Sequence, residues 1–165
     1  MNQMAAFVSL VTSVPQKQSN KNQVFGAAHR LRAARYPQFE TFSSLFAKTG
    51  FRNRYGVKPM EWYLEQRGWP ERTQAFLEGA EQLFVDVARK ALEGADLSAG
   101  DIDTVVTVSS TGIATPTLEA RVAGQLGFRS DVSRVPVFGL GCAGGVSGLS
   151  IASRLAQARP GTNVL

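Results

Sequence analysis

A chain of 165 residues, 44% apolar and 19% charged, is long enough to bury one real core and too apolar for intrinsic disorder. Its 18 Lys and Arg against 13 Asp and Glu give a net charge of +5, but the bases are scattered, so the footprint of a nucleic-acid binder is missing. A single cysteine excludes an internal disulfide framework and a cysteine-based zinc site, and it fits a reducing compartment. No apolar run approaches the length of a membrane span, and "MNQMAAFVSLVTSVPQ" has no basic leader, so a cytoplasmic protein is expected.

In chain order, the β-branched stretch Ala5–Pro15 reads as a strand stopped by proline. Ser19 or Asn20 can cap a helix that carries Val24, Phe25, Ala28 and Leu31 on one face and ends before Pro37. A second short helix follows, with Phe39, Phe42, Leu45 and Phe46 as its stripe and Gly50 as its stop. Residues 51–70 alternate loosely up to Tyr55, then carry a short helix near Trp62. The strongest helical pattern begins at Pro70 and keeps Phe76, Leu77, Ala80, Leu83, Phe84, Val87, Ala88, Ala91 and Leu92 in register to about Gly94. A turn at Ser98–Asp101 leads to a strand over Thr104–Val108, a Ser/Thr-rich loop and a helix after Pro116. "VSRVPVFGLG" is a strand, Cys142 opens a helix closed around Pro160, and "TNVL" begins another strand, so the chain is expected to be a truncated piece that ends within a strand. Strands alternating with helices imply a layered α/β fold with a mostly parallel sheet.

The only thiol, Cys142, sits in "FGLGCAGG", among Gly139, Gly141, Gly144 and Gly145. Three readings are open. Gly139, Gly141 and Gly144 satisfy G-x-G-x-x-G between a strand and a helix, as in a dinucleotide-binding turn, although the acidic ribose partner would fall at or beyond the chain end. Alternatively the glycines serve the sulfur. A thiol at a helix start meets unpaired N–H groups and the positive end of the helix dipole, which favour thiolate and nucleophilic attack. The Cys142 N–H could then donate to an oxyanion. Finally, Cys142 can be a small buried apolar residue, with the glycines allowing close helix–sheet packing.

"STGIATP" (Ser110–Pro116) and "GCAGG" (Gly141–Gly145), at their separation in this chain, resemble the type III polyketide synthases, the chalcone and stilbene synthase family, and in particular its bacterial members. The similarity runs from about Ala5 to the end of the chain and is densest from Thr104 onward. It implies a thiolase-like layered α/β fold, with residues 1–165 forming part of its N-terminal half, and a homodimer. It implies a Cys–His–Asn triad in which Cys142 is the nucleophile, while His and Asn belong to the family's second half. His29, the one histidine, lies in an early helix and is not a substitute base. Ser110 and Thr111 match cavity-lining hydroxyls. Thr115, before a Pro116 whose bond can be cis, matches the residue that reaches into the partner's cavity. Lys48 matches one of the bases that meet coenzyme A phosphates, while Thr41 and Ser44 stand where other members carry bases, with Arg52 and Arg54 nearby. The resemblance implies acyl-CoA and malonyl-CoA as substrates, with no metal and no separate cofactor, and fatty-acyl starters giving alkylpyrones or alkylresorcinols. Two other functions fit some of the same residues: a ketoacyl synthase III-like condensing enzyme, and a non-catalytic dimerisation fragment.

Overall fold

The computed structural model describes residues 4–33 and 35–165, without the side chains at positions 40, 42, 43, 46 and 47. The expected stripe positions Phe42 and Phe46 therefore lie outside the described residues. The chain divides into two compact units: Val14–Ala75, and Met1–Ser13 together with Phe76–Leu165.

In the first unit, strand β1 (Lys17–Asn20) pairs antiparallel with β2 (Asn53–Gly56), Gln18 opposite Tyr55. Helix α1 (Lys21–Arg32) starts directly from β1. Asn20, not Ser19, is its cap: the Asn20 side chain accepts from the Gln23 N–H at 3.0 Å, and the Gln23 side chain accepts from the Asn20 N–H at 2.9 Å. This reciprocal box satisfies two N–H groups that a helix start leaves without partners. Helices α2 (Phe39–Lys48) and α3 (Met60–Leu64) complete the unit. His29 is exposed on α1, its ring 5.8 Å from that of Phe39 and 6.2 Å from that of Phe25, and it lies in a different unit from Cys142.

Helix α4 (Trp69–Ala95) has 27 residues, and the boundary between the units falls within it. In the second unit Val85, Ala88 and Leu92 form its buried stripe. The sheet there is parallel, ordered β4 (Ser133–Phe138), β3 (Ile102–Ser109), β5 (Asn163–Val164). Central β3 supplies Ile102 and Val105 to a core shared with Leu92 and Val132. Pro136 has no N–H to give a ladder and sits on β4, an edge strand among the described residues. Helices α5 (Leu118–Leu126) and α6 (Gly144–Ala158) cover the sheet, α5 ending on Gly127 at φ +85°.

The expected strand at Ala5–Pro15 does not form. The segment has no regular structure, nothing among the described residues pairs with it as a strand, and Phe7 and Leu10 are 76% and 85% exposed. Its hydroxyls turn to α4 instead: Ser13 donates to Asp86, and Ser9 lies against Gly94. β propensity measures fit to a pleated neighbour, so a segment without one stays unpaired however β-branched it is.

Candidate active site

Strands β3 and β4 run parallel and finish together, Ser109 opposite Phe138. The two loops that follow therefore leave the same end of the sheet, the carboxyl end at which open α/β sheets hold ligands. The first is the Ser/Thr-rich loop 110–117, with a cis Thr115–Pro116 bond. The second is the glycine turn that carries the cysteine.

That turn divides its glycines between two tasks. Gly139 at φ +85° and Gly141 at φ +53° hold left-handed backbone that a side chain would strain, and they reverse the chain from strand to helix. Gly144 and Gly148 do something else. A Cβ on Gly144 would lie 2.8 Å from Val108 Cγ1, and one on Gly148 would lie 2.6 Å from Val108 Cγ2. Both are buried. One face of α6 thus rests directly on Val108 near the end of β3, and that close approach sets where the head of the helix sits.

Cys142 lies in a 3-10 turn, Gly141–Ala143, that continues into α6 without a break. The expectation that it opens the helix holds, one turn earlier than the α-helix proper. Its side chain is exposed, which removes the reading of a buried apolar cysteine. Leu140 is the cap of this turn, so Cys142 is its second residue, and its N–H has no intrahelical acceptor. Phe138, Leu140, Val146 and Leu149 are exposed apolar neighbours in sequence.

The two loops are tied together. The Gly139 N–H donates to Ser109 O at 3.4 Å, and Ser110 Oγ donates to Gly141 O at 3.2 Å. Ser109 Oγ donates to Gly112 O at 2.8 Å and closes the loop on itself. Gly112 has no room for a side chain, because its Cβ would meet the Phe76 ring at 2.4 Å. Of the sequence-predicted residues, Ser110 is therefore brought to the Cys142 turn. Thr111 and Thr115 are exposed on the same loop. Lys48 is exposed in the last turn of α2, in the other unit. Near it in sequence, Arg52 joins Lys21 and Thr49 around an open cleft of about 380 Å³, with Lys21 Nζ donating to Thr49 O at 2.9 Å, while the Arg54 guanidinium stacks 4.1 Å from the Phe51 ring centroid.

Val108, Phe76 and Gly148 escape a reading that looks for chemical groups. The one signal available was "GGVSG", small residues four apart on a helix that follows a strand. Glu119 was missed as well: it is 1% exposed on α5, and neither carboxylate oxygen has a hydrogen-bond partner among the described residues. No group of three or more potential metal ligands occurs among the described residues.

Residues 5–165 match the sequence profile of the N-terminal domain of chalcone and stilbene synthases. A putative chalcone synthase of Bacillus subtilis (strain 168) is 32% identical over 167 residues, covering 98% of this chain and 46% of the relative. An alpha-pyrone synthesis polyketide synthase-like protein, Pks18, of Mycobacterium tuberculosis is 34% identical over 95 residues, covering 58% of this chain and 24% of the relative. The crystal structure of 1,3,6,8-tetrahydroxynaphthalene synthase from Streptomyces coelicolor A3(2), described as a bacterial type III polyketide synthase, superposes with a TM-score of 0.83 at 33% identity, over 92% of this chain and 43% of that one. The chain thus spans less than half the length of these relatives. With this thiolase-like α/β architecture, and with the cysteine turn and the Ser/Thr loop at one end of a parallel sheet, the chain belongs to the chalcone and stilbene synthase family, over its N-terminal domain.

Proposed function

We propose that this chain carries the acyl-accepting half of a type III polyketide synthase, with Cys142 as the nucleophile. The observation that carries the reading is the place of Cys142: the only thiol is exposed at the head of α6, on a turn bound to the neighbouring loop. N–H groups that a helix start leaves without intrahelical acceptors can donate to an oxyanion formed beside that sulfur.

In the first step the Cys142 thiolate, its proton passed to a base, attacks the carbonyl carbon of an acyl-CoA. The C=O π pair moves to oxygen, then returns and expels coenzyme A thiolate, leaving an acyl-cysteine. In the second step malonyl-CoA loses CO₂. The electron pair of the broken C–C bond becomes an enolate carbanion that attacks the acyl-cysteine, forms a new C–C bond and releases the Cys142 thiolate. The decarboxylation and the oxyanion of this step call for the family's His and Asn, which the family carries in its second half. Thr111 and Thr115 are read as cavity residues, and Lys48 as a base for a coenzyme A phosphate. A small Thr115 leaves room for a long acyl chain, which supports an alkylpyrone or alkylresorcinol product. The complete subunit acts as a homodimer in the cytoplasm and needs no metal and no further cofactor.

Incubating the chain with an acyl-CoA and mapping the adduct by mass spectrometry tests the first step. One acyl group on Cys142, abolished in Cys142→Ala, is expected. An unmodified Cys142 in a folded chain would refute the assignment.

A further inference from the structure

We propose that Ser110 is a positioning residue for acyl transfer: by holding the Gly141 carbonyl, it aims the Cys142 N–H at the oxyanion of the acylation step. The inference rests on the reading of Cys142 as acyl acceptor. Ser110 Oγ donates to Gly141 O at 3.2 Å, and the Gly144 N–H donates to the same oxygen. That oxygen and the Cys142 N–H belong to one planar peptide unit and point in opposite directions, so fixing one fixes the other. The unit needs fixing, because Gly141 at φ +53° has no side chain to hold it and glycine crosses its conformational space freely. Hydrogen bonds received by an amide oxygen also polarise the amide and strengthen its N–H as a donor. Ser110 can do this because its own backbone is held: Ser109 before it lies in the sheet opposite Phe138 and bonds to Gly112 O after it.

The chemistry offers a test that separates aim from reactivity. Acylation of Cys142 by p-nitrophenyl acetate forms a C–S bond, places the C=O π pair on oxygen, and on collapse breaks the C–O bond and expels p-nitrophenolate. Alkylation by iodoacetamide uses the same sulfur and expels iodide, with no oxyanion at any point. Both rates are measured at one pH on the full 165-residue chain, where Cys142 is the only thiol, and on Ser110→Ala, Ser110→Val and Ser110→Thr. Complete loss of an oxyanion donor lowers rates by about a hundredfold or more, so a misaimed donor is expected to cost acylation about tenfold in the alanine and valine variants. Alkylation should stay within about twofold, and threonine should restore acylation. Threonine and valine differ by one hydroxyl at nearly equal volume, so their comparison stands even if the alanine variant unfolds; circular dichroism melts establish which variants are folded. Unchanged acylation in the valine variant, an equal fall in both reactions, or a threonine variant that behaves like valine would overturn the role of Ser110 alone. An unaltered chain that is alkylated but never acylated would overturn the acyl-acceptor reading, and this inference with it.

Discussion

Val108 carries the approach of α6 to the sheet, and its two methyl groups meet Gly144 and Gly148, one each. Alanine at 148 gains helix propensity of up to about 1 kcal/mol over glycine, but forcing a methyl into a filled contact costs about 1–3 kcal/mol. The contact is with the stiff γ-methyl of a β-branched side chain, so the clash should win, and Gly148→Ala is expected to lower stability by roughly 1–2 kcal/mol in urea unfolding. Adding Val108→Ala should recover most of that loss, and a double-mutant cycle with no coupling between the two sites would dismiss the contact. Glu119 makes the opposite case. A buried carboxyl group with no partner among the described residues costs stability, so Glu119→Met, similar in length and apolar, should raise the unfolding midpoint of this chain. A lowered midpoint would mean that the carboxylate has a partner.

At the scale of elements, local chemistry decides wherever an element can satisfy itself. Helix α1 has its cap and its reciprocal Gln23 within four residues, so Asn20→Ala should cost about 1 kcal/mol and leave β1 paired with β2. Urea unfolding gives the cost, and hydrogen exchange at Gln18 and Tyr55 reports the pairing. The spacing of apolar residues marked α4 for the same reason: a long helix bonds to itself and shows its buried face as a period of 3.6. Ala5–Pro15 had all the marks of a strand except a neighbour, and sequence periodicity says nothing about neighbours. Lys17–Asn20, with no apolar residue at all, became β1 because Asn53–Gly56 lay opposite.

For the molecule as a whole, one arginine joins the amino ends of the parallel strands. Arg129 donates to Gly100 O at 2.7 Å, to Asp103 at 3.0 Å and to Asp131 at 2.9 Å, while Asp103 also accepts from the Asn163 N–H at 2.9 Å. The Asn163 N–H, then Arg129, hold the Asp103 carboxyl below its ordinary value of 3.8, and Arg129 does the same for Asp131. The hydroxyl and N–H of Ser98 lower Asp101, and Lys90 then Ser13 lower Asp86. In all four the folded state releases its proton more readily than the unfolded chain. Their stabilisation is therefore complete above the ordinary carboxylate value and is lost as pH falls below about 4 through the lowered folded values. The melting temperature should be flat above pH 5 and drop steeply below pH 4, with a smaller drop in Asp103→Asn. Because Asp101 and Asp131 are exposed, 1 M salt should flatten part of the acid slope. A melting temperature that does not move between pH 5 and pH 3 would rule out a stabilising role for these four carboxylates.

The order of elements from α4 onward, the long helix and the glycine reversal around Cys142 were legible in the residues, because each depends on bonds or conformations within a few positions of the chain. "GCAGG" and "STGIATP" carried the family by the same token. The fate of Ala5–Pro15, the division of the glycines between turn and packing, the burial of Glu119 and the aim of the Ser110 hydroxyl at Gly141 were decided only in three dimensions. Each depends on which distant segment lies within a few ångströms, and pairing and packing between segments leave no period in the sequence that contains them.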